Sequence, residues 1–228
     1  MPRISPTGFQ TMEQTAEYKT LAHFGADSFV EQRSEFIGYA SPCETEEQAL
    51  AFLQSIRTKH ADARHCVYAY VLRENNISRF SDDHEPQGTA GMPTLSILQH
   101  GQITDACIAV VRYFGGILLG TGGLTRAYTK SAQIAVRAAG IVQRRLCLDF
   151  ELAVSYSDYQ KLAPLLARFE AVAEQTDYAA QVTLRGFLPV FLRQEFSAAL
   201  TDFSRGSARL SFVDERYATF ALPQDRSL

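Results

Sequence analysis

Two stretches of the chain carry side chains able to do chemistry. The first is Asp82-Asp83-His84-Glu85-Pro86-Gln87-Gly88-Thr89-Ala90-Gly91-Met92-Pro93, with three carboxylates and an imidazole in four successive positions. Such a set can ligate a hard divalent cation or move protons. Asp, Gly and Pro also build turns and helix caps, and both readings stand at this level. The second stretch runs from Val110 to Arg126, an apolar strand feeding Gly115, Gly116, Gly120, Gly122 and Gly123 and then a helix. Backbone N–H groups in a strand, glycine loop and helix sequence can cradle phosphate. The spacing fits neither GxxxxGK[ST] nor GxGxxG, so neither a P-loop nor a Rossmann assignment is supported. The glycines serve equally well to let the backbone adopt positive φ in a tight crossover.

Helical spacing over residues 124–139 puts Leu124, Ala127, Ser131, Ile134, Ala135 and Ala138 on one face and Arg126, Lys130, Gln133 and Arg137 on the other. Arg126 then falls in the first turn, where a cation opposes the helix dipole and calls for an anion. That anion is either a phosphate-bearing ligand or the protein's own Asp82, Asp83 or Glu85. Arg112 points away from Tyr113 by strand alternation and can join the same cluster. Six basic residues lie between Asp105 and Arg145 (both included) against one acid, so an anionic partner belongs on this segment. His60, His65 and His100 occupy ordinary element ends, and no hydrolase motif accompanies them. Tyr68, Tyr70, Tyr113 and Phe114 suit either base stacking or a strand core.

The wider composition narrows the classes. Of 228 residues 46% are hydrophobic and 11% aromatic, and the net charge is −3, which describes a folded globular chain without a bulk polyanion-binding charge. Cys43, Cys66, Cys107 and Cys147 are dispersed, with no CxxC pair. That predicts reduced thiols, no zinc site and a cytoplasmic address. No apolar run is long enough for a signal peptide or a membrane span, so no membrane partner is expected, and with neither a P-loop nor a Rossmann fingerprint no cofactor is expected.

Strands are predicted at 18–23 and 28–40, joined through Gly25-Ala26-Asp27, then a helix from the Thr45-Glu46-Glu47-Gln48 capping box to residue 59. Strands follow at 65–72, 77–80 and 103–113, the last apolar enough to be central and covered on both faces. Beyond residue 145 the pattern restarts as strand 146–156, helix 158–169 capped by Ser157 or Asp158, strands 172–178 and 181–190, helix 191–203 and strand 209–213. That βαββαβ order closes as a ferredoxin-like sandwich. The expectation is an α+β chain with an N-terminal arm at 1–17, a first domain at 18–143, a short junction near 142–147 and a ferredoxin-like domain at 146–228.

Asp82-Asp83-x-Glu85-Pro86-x-Gly88-Thr89-Ala90-Gly91-x-Pro93, followed by Val111-Arg112-Tyr113-Phe114-Gly115-Gly116-x-x-Leu119-Gly120-x-Gly122-Gly123-Leu124-x-Arg126-Ala127-Tyr128, resembles the IMPACT family, and the chain is similar to its bacterial YigZ-type members. The resemblance implies a first domain of the ribosomal-protein, domain-2-like βαβ fold and a second similar to domain V of elongation factor G. His84 stands where the family usually shows Gly. Eukaryotic members regulate translation under amino-acid starvation by binding the activator of an initiation-factor kinase. They do so through an added N-terminal RWD domain for which this chain leaves no room, so that partner is not expected here. The expectation is a non-enzymatic, translation- or stress-linked regulator binding RNA or a ribosome-associated component through the glycine segment and the basic helix face. The alternatives are a metal-assisted phosphotransfer or hydrolytic enzyme using Asp82, Asp83 and Glu85, and a protein-interaction scaffold.

Overall fold

The computed structural model describes residues 16–222, which form two compact units, 18–144 with 219–222, and 145–218 with residues 16 and 17. The expected arm at 1–17 and the last residues of the expected second domain lie largely outside the described range.

The first unit is built on a five-stranded sheet of β2 (Gly25–Glu31), β3 (Ser34–Pro42), β6 (Ala106–Tyr113), β4 (His65–Leu72) and β5 (Ile77–Ser81), in that order. β6 is antiparallel to both β3 and β4, so β3 and β4 run parallel on either side of it. Helix α1 (Glu46–Lys59) makes the crossover between β3 and β4, and α2 (Gly91–His100) makes a second one from β5 to β6. Residues 106–111 of β6 are wholly buried because both faces are covered, as their unbroken apolar run predicts. Ala106, Ile108 and Val110 face a core with α2 and α3 (Gly120–Ala139), while Cys107, Ala109 and Val111 face a core with α1. All four cysteines are buried and free.

The first hairpin differs from expectation. It joins β2 to β3 at Gln32 and Arg33, both at positive φ, in the geometry that suits the twist of a two-residue hairpin. Gly25 makes no turn there; a Cβ on it would stand 2.2 Å from the Ala139 nitrogen, so it lets the strand approach α3. β1 (Glu17–Leu21) leaves this sheet altogether and pairs with β7 (Ile141–Val154). β7 is continuous through residues 142–147, and the division between the two units, at 144 and 145, falls within this strand.

The second unit has the expected ferredoxin-like order. β7, α4 (Tyr156–Arg168), β8 (Val172–Tyr178), β9 (Val182–Pro189), α5 (Arg193–Ser204) and β10 (Arg209–Ala221) arrange their strands as β10-β7-β9-β8. The helices pack on Phe150, Leu152, Val154, Leu184 and Leu188. Across the sheet, Arg185 bridges Glu151 and Asp177, and Arg216 bridges Asp149 and Glu174. Ser155, not Ser157 or Asp158, caps α4 by accepting from the Asp158 N–H.

His60, which ends α1, sits in a directed chain of hydrogen bonds. Tyr113 donates to Asp62 at 3.0 Å, so it accepts from His60 Nδ1 at 2.9 Å, which leaves Nε2 to accept from Tyr39 at 2.7 Å. The ring is therefore neutral, and burial, followed by the Lys59 charge, holds its pKa below the ordinary 6.5. Below about pH 6.5 the unfolded chain takes up a proton that the fold refuses, so stability falls as the pH drops through that region. Thermal melts from pH 8 to pH 5 are expected to show this decline, and His60→Gln to flatten it; an unchanged slope in the variant would assign the decline to other groups.

Candidate functional site

The acidic stretch follows β5 and leads into α2, a helix that the sequence reading did not anticipate. Asp82 is its anchor. Its Oδ1 accepts from Ala90 N at 3.0 Å and Gly91 N at 2.7 Å, and its Oδ2 accepts from Gly88 N at 2.9 Å. Ala90, the residue before α2, has no side chain to cap those first N–H groups, so the carboxylate nine residues before Gly91 does so. Asp83 accepts from Cys66 N at 2.6 Å through Oδ2, and its carbonyl accepts from His65 Nδ1 at 2.8 Å. Asp83 and His84 both have positive φ, +41° and +69°. The left-handed backbone at 84 is the physical reason a glycine suits that position.

Glu85 points inward. Its side chain is 4% exposed and accepts at Oε1 from Arg112 Nη1 at 2.6 Å and from the Tyr128 hydroxyl at 2.8 Å. Burial first, and then the Glu85 charge, push the Tyr128 phenol far above its ordinary pKa, so it is a fixed donor. The Arg112 guanidinium lies 5.4 Å from the centre of each of the Phe36 and Phe114 rings, and its Nη2 reaches Ser34 Oγ only at 3.5 Å. Arg112 Nε has no hydrogen-bond partner among the described residues. The two chemical stretches therefore do form one ion-paired platform, but Arg112 makes the pair and Arg126 does not.

The three carboxylates are thus committed to backbone N–H groups, a guanidinium and a phenol, which does not fit the divalent-ion set of the enzyme alternative. Among the described residues no group of three or more His, Cys, Asp or Glu side chains is placed to hold a metal ion.

The glycine segment also divides differently from expectation. Gly115 and Gly116 form the loop, whereas Gly120, Gly122 and Gly123 belong to the first turn of α3. Gly115 is required for close approach, since a Cβ there would stand 2.0 Å from the Arg33 carbonyl, and its N–H donates to Ser34 Oγ at 3.2 Å. Because α3 starts at Gly120 and not at Leu124, Arg126 is its seventh residue, beyond the reach of the dipole argument. Of the face expected to be apolar, Leu124, Ala127, Ser131 and Ala135 are buried, Ile134 is half-buried and Ala138 is exposed, and the buried stripe extends to Tyr128, Ala132, Val136 and Ala139.

The basic face survives as read. Arg126, Lys130, Gln133 and Arg137 are all exposed. Of the six cations on this segment, Arg112 pairs with Glu85 and Arg145 with Glu17 and Glu170, while Arg144 donates to Thr219. The single acid, Asp105, holds Arg73. Arg126, Lys130 and Arg137 remain without a carboxylate partner among the described residues; Lys130 lies 4.1 Å from the centre of the Phe29 ring. Arg126 and Lys130 border a cavity of about 230 Å³ together with Phe29 and Glu31. Of the residues named from sequence, Gly88 belongs to the anchored loop, 2.9 Å from Asp82.

His65, read from sequence as an ordinary imidazole at a strand end, belongs to the site. Its Nδ1 is tied to the Asp83 carbonyl and its Nε2 stands 3.8 Å from Glu85 Oε1. No local signal marks it, because its partners are 18 and 20 residues away.

Residues 32–136 match the Impact N-terminal domain, and residues 152–207 match a domain of unknown function, DUF1949. The chain is 39% identical over 187 residues to the IMPACT family member YigZ of Escherichia coli, covering 81% of this chain and 92% of that protein. It is 34% identical over 192 residues to the IMPACT family member YvyE of Bacillus subtilis, covering 84% and 88%. The mouse protein IMPACT is 30% identical over 115 residues, covering 49% of this chain and 36% of that one. A crystal structure of a hypothetical protein superposes with a TM-score of 0.56 at 35% identity, covering 88% of this chain and 99% of the other. Among the described residues no helix is long and apolar enough to cross a membrane. With two domain matches in the expected order and two bacterial relatives aligned along most of their length, the chain belongs to the IMPACT family.

Proposed function

We propose that this IMPACT family member is a cytoplasmic, non-enzymatic regulator, linked to translation or stress, that binds RNA or an RNA-bearing ribosomal component on the basic face of α3. The observation that carries this reading is the set of Arg126, Lys130 and Arg137, exposed on one helix face with no ion pair to an acid among the described residues, while the carboxylates of the acidic loop, Asp82, Asp83 and Glu85, are spent on partners within the fold. An interior that neutralises its own acids leaves this face as a cationic strip, and cationic strips bind phosphate backbones by releasing counterions.

The test is titration of a single-stranded RNA oligonucleotide at several salt concentrations. Each phosphate contact is expected to contribute a log-log slope of about −0.7. Arg126→Ala, Lys130→Ala and Arg137→Ala should each weaken binding and make the slope shallower, and Arg126→Ala should melt close to the parent because no carboxylate is stranded. Wild-type affinity in the triple variant would sink the reading.

A further inference from the structure

A cleft of about 370 Å³ opens between the acidic loop and the start of α3, apart from the basic helix face. Arg64, His65, His84 and Arg112 bring cationic or protonatable groups to it, and Gly120 and Thr121 bring the first turn of α3. Its one carboxylate, Glu85, is already paired with Arg112. Phe114 and Leu118, 43% and 85% exposed, form an apolar wall beside these groups. The volume lies at the lower end of small-molecule sites, about 300–1,000 Å³.

Two independent features point to an anion in this cleft. Leu119, before α3, offers no side-chain acceptor, so the first-turn N–H groups lack the cap that helices normally supply. Arg112 lines the cleft, is 5% exposed, and keeps its Nε without a hydrogen-bond partner among the described residues. Buried donors are ordinarily satisfied, and beside Arg112 the exposed Arg64 has no carboxylate partner among the described residues, so the cleft presents a guanidinium fork open to an oxygen anion. The tie from His65 Nδ1 to the Asp83 carbonyl fixes the ring without using its second nitrogen in a hydrogen bond.

We propose that this cleft binds the phosphate monoester of a nucleotide, with the phosphate among Arg64, His65, Arg112 and the start of α3, and the base against Phe114 and Leu118. A monoester carries the compact double charge that suits several converging cations, and an exposed aromatic ring beside them suits the flat face of a base. The source is either a free mononucleotide or the terminal phosphate of an RNA. The inference deepens the RNA-binding reading, because a terminal phosphate held here would place the following backbone at the start of the basic helix.

The experiment is calorimetric titration of the full chain with AMP, adenosine, and one trinucleotide in 5′-phosphorylated and 5′-hydroxyl forms. AMP or the phosphorylated trinucleotide is expected to bind at least about tenfold more tightly than its unphosphorylated counterpart, and whichever shows the greater preference names the source. Arg64→Ala, at an exposed position, and His65→Gln, whose amide can still donate to Asp83, should each reduce that preference while melting near the parent. Equal binding of phosphorylated and unphosphorylated forms, or a preference untouched in both variants, overturns the proposal. If that happens while longer RNA keeps its salt-dependent binding, only the cleft assignment fails. Loss of the salt dependence with AMP binding intact removes the basic-face reading instead.

Discussion

Glu85→Ala is expected to destabilise the first unit by about 3–5 kcal/mol, the range for removing one partner of a buried ion pair. Arg112 and Glu85 have side chains 6% and 4% exposed, so solvent screens the pair little. The change strands the guanidinium, whose Nε is already without a partner among the described residues, and removes the acceptor of the buried Tyr128 hydroxyl. For a chain of this size, that corresponds to a melting temperature lower by roughly 6–20 °C. Arg112→Met should also be costly, but the double replacement should cost clearly less than the sum, because neither charge is then left alone in the core. Denaturant unfolding of the two single variants and the double variant measures the coupling. Additive losses, or a Glu85→Ala loss below about 1 kcal/mol, would show that the pair does not organise the platform. Arg126→Ala, by contrast, should leave stability near the parent.

That contrast marks where the sequence was readable and where it was not. The basic face of α3 was legible because 100° spacing needs only a local window, and β6 because its apolar run admits one physical solution, burial on both faces. Arg112 pointed as strand alternation requires, towards the α2 and α3 side. Its partner was not legible, since Glu85 is 27 residues away and Asp82, Asp83 and Glu85 looked equally suitable from a list of types. Helix α2 was hidden for a similar reason. Gly91 and Pro93 read as turn residues, and the group that caps the helix lies outside any short N-cap pattern. The start of α3 was masked by three glycines, and the hairpin turn by Gln32 and Arg33, which lack the usual Asn-Gly signature at positive φ.

Asp82→Ala is expected to cost about 2–4 kcal/mol, on the basis of charge-assisted hydrogen bonds worth roughly 1.5–3 kcal/mol each and partly replaceable by water at this half-buried position. Three backbone N–H groups lose their acceptor together, those of Gly88, Ala90 and Gly91, and Ala90 supplies no substitute cap to α2. Asp82→Asn should fall between the two, because an amide oxygen can still accept from Ala90 and Gly91 while its NH2 group faces the Gly88 N–H, donor against donor. Hydrogen exchange gives the local readout: the Gly88, Ala90 and Gly91 amides should exchange faster in Asp82→Ala than the overall loss of stability explains. If they do not, the carboxylate is not the anchor that the geometry assigns. The same loop carries His84, Glu85 and Pro86 into the cleft. Loosening it should therefore also weaken AMP binding in Asp82→Ala, although Asp82 itself does not line the cleft, whereas binding of longer RNA on the exposed face of α3 should change little.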